Sequence, residues 1–400
     1  MLKINCLRVC MLVHQDYYMD ARVRRYAETL ASDGAQVDII CVLDPSLKSH
    51  PPITDNIHIY SIPFSRKGAS QGNYLIEYTI AFFLYFAYTT WLHIRHRYHV
   101  IHVHNMPDFL VFAAFIPRLL GTRIILDIHD IMPDFYMSKF RCGSNHWMVR
   151  LLKLQERLST AFAHTVITAC RGFKQRLIQR GLKQERLTVI YNTPDREIFN
   201  RHAFAKTIQQ THVSFTLIYP GTQAPRYGLD IPIRALPLMI AEAANIRLQI
   251  IGPHTDYTDE LIQLAKALGV ENYVEFRPPV PVKQIPSLLA LADVGIYPAL
   301  REPYMDIAVP EKVFEYALMG LPIVATRLSV LEDFFSDLAI LYFESGTIEQ
   351  FAERVLRLYR DPQLAKKMVN QADREYVQNF GWEKGKEEYY QLLGKLLAFR

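Results

Sequence analysis

The chain has no Asp-x-Asp pair and no Cys-x-x-Cys spacing. The first absence removes the usual carboxylate pair by which an enzyme holds a divalent cation against a diphosphate. The second, with only Cys6, Cys10, Cys41, Cys142 and Cys170 scattered along the chain, excludes a disulfide framework and a zinc site of the common spacings. Three of these cysteines stand in apolar, strand-like runs and are expected as small core residues. Excess charge is also scarce. A net charge of +5 is too mild for a dedicated nucleic-acid binder but suits anionic substrates or an anionic membrane surface.

Long apolar runs are missing too. Tyr78 to Leu92 is free of charge, yet it is shorter than the ~20 residues that a spanning helix needs. A buried helix is the first expectation for it; a helix dipped into lipid, with the basic cluster His93-Ile-Arg-His-Arg97 on phosphates, is the second. The opening Met-Leu-Lys-Ile-Asn-Cys-Leu-Arg-Val-Cys carries charges inside its apolar run and no small-residue cleavage site, so it reads as a first strand of a cytoplasmic protein. No internal repeat or low-complexity segment is visible. The basic clusters Arg22-Val-Arg-Arg25 and Lys174 to Arg186 read as solvated faces.

What is present is an alternation of strand-length apolar runs with helix-period segments. In the first half the strands are expected at 5–13, 37–43, 57–62, 100–103, 123–127, 165–168 and 187–190. Between the first two, Val23, Tyr26, Ala27, Leu30 and Ala31 mark an amphipathic helix ended by Gly34. Tyr191-Asn-Thr-Pro-Asp195 then turns the chain, and a polar stretch to Thr211 breaks the rhythm. A second series follows at 213–219, 246–251, 273–276, 294–297, 323–325 and 339–342, with only helical patterns after it. Such alternation means α/β architecture, with parallel sheets covered by helices on both faces, and four hundred residues suffice for two cores. The expected division is 1–195 with 381–400, a linker over 196–211, and 212–380. Two doubly wound domains would carry their ligand sites at the strand carboxyl ends, facing a common cleft.

The most informative segment is Pro310-Glu-Lys-Val-Phe-Glu-Tyr-Ala-Leu-Met-Gly-Leu-Pro-Ile-Val-Ala325. At about 100° per residue, Val313, Phe314, Ala317 and Leu318 form a core face while Glu311, Lys312 and Glu315 share the other. Gly320 and Pro322 end the helix before a strand. A carboxylate there can accept both hydroxyls of a ribose, and a neighbouring lysine can neutralise a phosphate. An ordinary solvated Lys-Glu face is the bland alternative. Upstream, Tyr219-Pro-Gly-Thr-Gln-Ala-Pro-Arg-Tyr-Gly228 joins a strand to a helix. Glycine N–H groups and the helix N-terminus there would favour a phosphate, with Arg226 completing the site. In the first half, Asp127-Ile-His-Asp130 stands at a strand's carboxyl end, where His129 beside a carboxylate can bond a sugar hydroxyl. His102 and His104 of Val-Ile-His-Val-His-Asn-Met-Pro-Asp108 alternate onto one face, but sequence spacing offers no third ligand, so no metal site is expected.

The segment 310–325 resembles the donor-binding stretch of the retaining glycosyltransferases of family 4, in the subgroup where a Lys precedes the Glu. That resemblance, with motifs at 123–135, 219–230 and 298–325, implies the GT-B fold: two Rossmann-like, doubly wound domains facing a cleft, with the last helix, Trp382 to Leu397, crossing back to the first. It implies transfer of a sugar from a nucleotide-diphosphate sugar with retention of configuration, onto a sugar or lipid-linked acceptor of bacterial surface polysaccharide or lipopolysaccharide, at the inner face of the membrane with peripheral contact. No metal or other cofactor is implied, in keeping with the missing Asp-x-Asp of the metal-dependent class.

By the same resemblance Gly221, Thr222, Gly228, Lys312 and Glu315 bind the donor, and Arg226, adjacent to the family's basic positions, is expected to share the diphosphate with Lys312. His129, Arg226 and Lys312 act in transfer together with a first acid that is either Glu302 or Asp306, because the usual spacing of paired glutamates is stretched here. Asp16, Asp20 and Asp130 are expected on the acceptor side, and His104 and Asp108 as structural or acceptor-side groups. Two positions depart from the family: Thr222 stands where an Arg is usual and Tyr227 where a Lys is usual. Those departures keep a non-catalytic nucleotide-sugar-binding relative as an alternative, alongside an epimerase of the same architecture.

Overall fold

The computed structural model describes residues 4–43, 53–63, 71–204 and 214–398, the side chains of 71–77 excepted. The chain forms two compact units, residues 1–192 with 382–400, and residues 193–381.

The first unit is built on seven strands: β1 (Arg8–Leu12), β2 (Gln36–Cys41), β3 (Ile57–Ser61), β4 (Val100–His104), β5 (Arg123–Ile128), β6 (Thr165–Thr168) and β7 (Leu187–Val189). They lie in the order β3-β2-β1-β4-β5-β6-β7, every pair parallel. The second unit has six: β8 (Phe215–Pro220), β9 (Ile246–Ile251), β10 (Val274–Arg277), β11 (Val294–Tyr297), β12 (Ile323–Thr326) and β13 (Leu341–Phe343), ordered β10-β9-β8-β11-β12-β13, again all parallel. Each sheet therefore reverses direction once, between β1 and β4 and between β8 and β11. Open α/β sheets bind their ligands beyond the strand ends at such a point.

Six helices matter below: α1 (Ala21–Ser32), α2 (Gln71–His96), α3 (Trp147–Phe162), α4 (Asp230–Ile240), α5 (Glu311–Met319) and α6 (Trp382–Ala398). Helix α1 forms because Val23, Tyr26, Ala27, Leu30 and Ala31 bury one face and Asp20 caps its N-terminus, accepting from the N–H groups of Arg22 and Val23. Gly34 at φ 92° then turns the chain into β2. Helix α6 returns to the first unit, as the resemblance implies. Its Tyr389, Leu392 and Leu393 join Val9, Met11 and Ile39 in one core, and the Trp382 indole donates to Thr29 Oγ1 at 2.8 Å.

Two expectations need correcting. The N-terminal segment is not strand from residue 5: Ile4–Cys6 makes a 3₁₀ turn and pairing starts at Arg8. Helix α2 is not buried all round. Ala81, Tyr85, Thr89 and Leu92 face inward, but Ile80, Phe83, Trp91 and Ile94 are exposed, so the uncharged run mixes one packed face with one open face. The polar stretch assigned to a linker lies outside the described residues from 205 to 213. Before it, Arg196 donates to the carbonyls of Val377 and Phe380. Arg201 caps the C-terminus of α5 through the Ala317 and Leu318 carbonyls.

Candidate functional site

In the first unit, β4 and β5 pair so that His104 and Asp127 are direct partners. Alternation puts His102 on the same face as His104, and His129 on the same face as Asp127. The result is one carboxylate ringed by three imidazoles. Asp127 Oδ2 lies 3.7 Å from His102 Nε2, 3.6 Å from His104 Nδ1 and 3.4 Å from His129 Nε2. Arg22, from the first turn of α1, closes the cluster with Nε and Nη2 on the two carboxylate oxygens at 2.9 and 3.0 Å. Its Nη1 also donates to the Ile190 carbonyl at 2.7 Å. Tyr389 of α6 sits 3.0 Å from His102 Nδ1.

Burial decides the charges. It works against ionising Asp127, but Arg22 and then His129 outweigh it and hold the carboxyl well below its usual range. Burial pushes His104 well below the usual histidine range, with His102 adding to the shift. His102 is also lowered by burial, which Asp127 offsets in part. His129 moves the other way: burial opposes its charge, but Asp127 prevails and raises it. His129 alone of the three keeps side-chain exposure, 20% against none for the other two. It is thus the imidazole that can reach a ligand, with its Nε2 turned inward and its main-chain N–H held by Asn105 Oδ1 at 2.7 Å.

This cluster corrects two sequence readings. Arg22 is not part of a solvated basic face; it is 3% exposed and pairs with a carboxylate distant in sequence. Spacing shows two candidate metal ligands, and the structure adds a third, Asp127, with all three ligand atoms within 4.8 Å. The donor set fits a divalent cation poorly, because the guanidinium already occupies both Asp127 oxygens.

The other first-unit candidates have structural tasks. Asp16 Oδ1 accepts from the Tyr18 N–H at 2.8 Å, and Asp20 caps α1. His104 is fully buried and Asp108 nearly so. Burial raises the Asp108 carboxyl to about 6, although the hydrogen bond from Asn105 opposes the shift. Asp130 offers its carbonyl to the same Asn105 amide.

In the second unit, α5 docks on the sheet through Tyr316, whose hydroxyl donates to the Ile218 and Ile296 carbonyls. Val313, Phe314, Ala317 and Leu318 are buried as the wheel requires. The opposite side brings Lys312 over the carboxyl ends of β8 and β11. Its ammonium lies 5.0 Å from the Tyr219 ring centroid, 5.1 Å from Tyr227 and 5.3 Å from Tyr297. Three π faces thus hold one cation. Among the described residues no carboxylate comes within 4.0 Å of it. A Cβ on Gly221 would meet Lys312 Cε at 3.0 Å, so glycine lets the loop pass directly beneath the lysine. Arg226 stands 4.9 Å from the Tyr227 ring, which makes that ring a shared wall for both cations.

Tyr227, the departure from the family pattern, is therefore part of the Lys312 enclosure. Sequence reasoning missed this cage, and its signal was three tyrosines at the ends of one helix-capped loop and two neighbouring strands. The expected role of the loop N–H groups is corrected. The N–H of Gly221 donates to the Ile251 carbonyl and that of Gly228 to the Pro225 carbonyl. Gly228 serves geometry instead: at φ 59°, with Pro298 O only 2.2 Å from any added Cβ, no other residue fits. The N-terminus of α4 is already complemented by Asp230 in its first turn. Thr222 is exposed.

Glu315, one turn from Lys312, is partly buried. Burial raises its carboxyl to about 7, with Glu311 adding and Lys312 opposing. Of the two candidates for a first acid, Asp306 is committed locally: Ser329 donates to both its oxygens at 2.9 Å, and Arg301 Nε approaches at 3.1 Å. Glu302 lies half-buried in the same loop.

Comparison with known proteins fits this frame. A model described as Glycosyl transferase 4-like domain matches residues 19–193, and one described as Glycosyl transferases group 1 matches residues 214–361. The D-inositol 3-phosphate glycosyltransferase of Streptomyces coelicolor is 27% identical over 175 residues, 42% of this chain and 37% of that one. An uncharacterized glycosyltransferase of Methanocaldococcus jannaschii is 24% identical over 297 residues, 72% of this chain and 73% of that one. The chain thus spans just over a third of the first relative's length. Among solved structures, Anabaena HepE in complex with UDP-glucose superposes with a TM-score of 0.71 at 19% identity, covering 97% of this chain and 100% of that one. A separate structure of HepE holds UDP. At that identity the likeness shows the GT-B fold.

Proposed function

Because this chain belongs to the group 1 glycosyltransferases, with a 4-like N-terminal domain, we propose that it transfers a sugar from a nucleotide-diphosphate sugar with retention of configuration. The observation that carries this reading is the Lys312 ammonium, enclosed by Tyr219, Tyr227 and Tyr297, one turn from Glu315 and, among the described residues, with no carboxylate within 4.0 Å. A cation fixed by rings and not by a counter-ion keeps its charge for an incoming anion. Lys312 and Arg226 take the diphosphate and stabilise it as it leaves, doing the work that a metal does in the Asp-x-Asp class. Glu315 accepts the ribose hydroxyls. His129, held by Asp127 and charged more readily than its two buried neighbours, bonds a hydroxyl of the donor sugar. The first acid is either Glu302 or Asp306, of which Asp306 is bonded by Ser329 and Arg301.

We take the acceptor to be lipid-linked, in bacterial surface polysaccharide or lipopolysaccharide synthesis, at the cytoplasmic face of the membrane. Among the described residues no helix is long and apolar enough to cross a membrane. The open face of α2, with Phe83, Trp91 and Ile94 exposed, supports peripheral contact. One feature favours a second reading, a relative that binds the donor without turnover: Thr222 and Tyr227 replace two basic groups usual in the family.

The deciding experiment is thermal stability against UDP-, GDP-, ADP-, TDP- and CMP-sugars, since a ligand bound only to the native state raises the melting point. A shift for one nucleotide that is lost in Glu315→Ala supports the donor site. Absence of any shift counts against it, and a shift without turnover on any acceptor favours the second reading.

A further inference from the structure

Helix α3 carries its apolar residues on both sides. Val149 and Leu152 face the core, whereas Trp147, Leu151, Leu154 and Leu158 are each at least half exposed. Their spacing of four, three and four residues is one continuous stripe. The stripe does not end with the helix. Phe162 stacks on Phe115 with centroids 6.3 Å apart, and from there Leu119 and Leu120, both over 60% exposed, extend it. Single exposed leucines need no explanation. A run of this length across two adjoining helices marks an interaction surface.

The charges beside the stripe identify its partner. Between residues 135 and 162 the chain carries Lys139, Arg141, Arg150, Lys153 and Arg157 against one acid, Glu156. That acid is buried and bonded by Arg180 at 2.9 Å, so the open face bears no carboxylate of α3. A cavity of about 730 Å³ adjoins the stripe, shares Leu154 with it and is lined by Lys153, Arg157, Arg180, Lys183 and Arg186. Arg180 is spent on Asp134 and Glu156, and Arg186 on the Thr160 and Ala163 carbonyls. Among the described residues Lys153, Arg157 and Lys183 have no carboxylate within 4.0 Å. An apolar stripe bordered by unneutralised cations matches a layer of hydrocarbon beneath a layer of phosphate. A second copy of this chain would bring the same cations face to face, which repels.

We propose that α3 and the segment 115–120 dock on an anionic phospholipid bilayer, with Trp147, Leu151, Leu154 and Leu158 in the interface and Lys153, Arg157 and Lys183 on lipid phosphates. This deepens the membrane-side reading above by naming the surface and lipid class, and it is independent of the donor assignment, which nucleotide-sugar thermal shifts test alone.

Cosedimentation of the full chain with vesicles of phosphatidylcholine, alone or mixed with phosphatidylglycerol, tests it. Three cations near an anionic surface should tighten binding to the mixed vesicles on the order of a hundredfold, an advantage that salt removes. Leu151→Glu/Leu154→Glu should lose at least about tenfold in that binding while keeping its circular dichroism, melting point and nucleotide-sugar shift. Lys153→Glu/Lys183→Glu should erase the preference for phosphatidylglycerol. Equal binding to both vesicle types, or undiminished binding by the Leu151→Glu/Leu154→Glu protein, overturns the proposal. So does a dimer in sedimentation velocity that the same substitutions abolish, since the stripe would then be covered by another copy.

Discussion

Arg22 and Asp127 form a wholly buried ion pair that also orders three histidines, and removing one member has a cost that can be worked out. In Arg22→Met the Asp127 carboxylate keeps its burial but loses two hydrogen bonds, and the Ile190 carbonyl loses its donor. Breaking a buried pair from one side costs about 3–5 kcal/mol, whereas replacing both members by apolar side chains is often close to neutral. Arg22→Met/Asp127→Leu should therefore fall well short of the sum of its single substitutions, with a coupling of about 2 kcal/mol or more. The tryptophans make the assay specific: Trp91, Trp147 and Trp382 all belong to the first unit, so urea unfolding followed by their fluorescence reports that unit alone.

The penalty should also depend on pH. Without Arg22, a histidine beside Asp127 takes up the compensating proton, so its folded pKa rises above the unfolded value of about 6.5. That compensation is complete below the unfolded value and is lost as pH rises through the folded one. Arg22→Met should thus be less destabilised in mild acid than in mild base. A single-variant loss under about 1 kcal/mol, or strict additivity with Asp127→Leu, would refute the assignment of Arg22 as the counter-ion of a buried carboxylate.

Glu315, raised to about 7, should make donor affinity climb as pH rises through 7, because ribose hydroxyls donate to the carboxylate; calorimetry on Glu315→Gln should show a flat profile. The same shift implies that this carboxyl's contribution to stability falls between its unfolded value of about 4.3 and 7, where the folded state retains a proton that the unfolded state has released. Tyr227→Leu removes one of three rings from Lys312, worth about 0.5–2 kcal/mol; donor KM should rise a few-fold to about thirtyfold with the fold unchanged, and no change would mean that the ring does not hold the lysine. Lys312→Met should lower kcat/KM by at least about a hundredfold in steady-state assays. Tyr389→Phe loses only the contact with His102 and should cost the first unit about 0.5–1.5 kcal/mol in the same fluorescence transition.

The thirteen strands among the described residues were legible in the chain because most are parallel strands with largely buried, short apolar runs, and the helices between them show a 3.6-residue period; the edge strands β3 and β10 are only partly buried. Helix α5 was legible for the same reason: its core face and its Gly320 stop are local features. What sequence could not provide was the identity of partners across strands. Nothing near Arg22 in sequence distinguishes it from Arg24 and Arg25; only the parallel pairing of β4 with β5 puts Asp127 in its reach. The tyrosine cage was hidden for the same reason, since Tyr219 with Tyr227, then Tyr297, then Lys312 come from three separate segments. The loop N–H groups after β8 failed in the opposite direction. The glycines suggested an open cradle, but Gly221 already donates across to the Ile251 carbonyl of β9 and Gly228 to the Pro225 carbonyl within the loop.

Helix α6 has a consequence for how the protein is made. Tyr389, Leu392 and Leu393 fill the core of the first unit, yet they are translated after the whole of the second. Ribosomes deliver domains in order, and N-terminal domains commonly fold as they emerge. Here the first sheet waits, with the apolar surface around Val9, Met11 and Tyr26 uncovered, until α6 arrives. A fragment ending at Asn192 would carry that exposed surface permanently, so the two units, although separately compact, share one moment of completion.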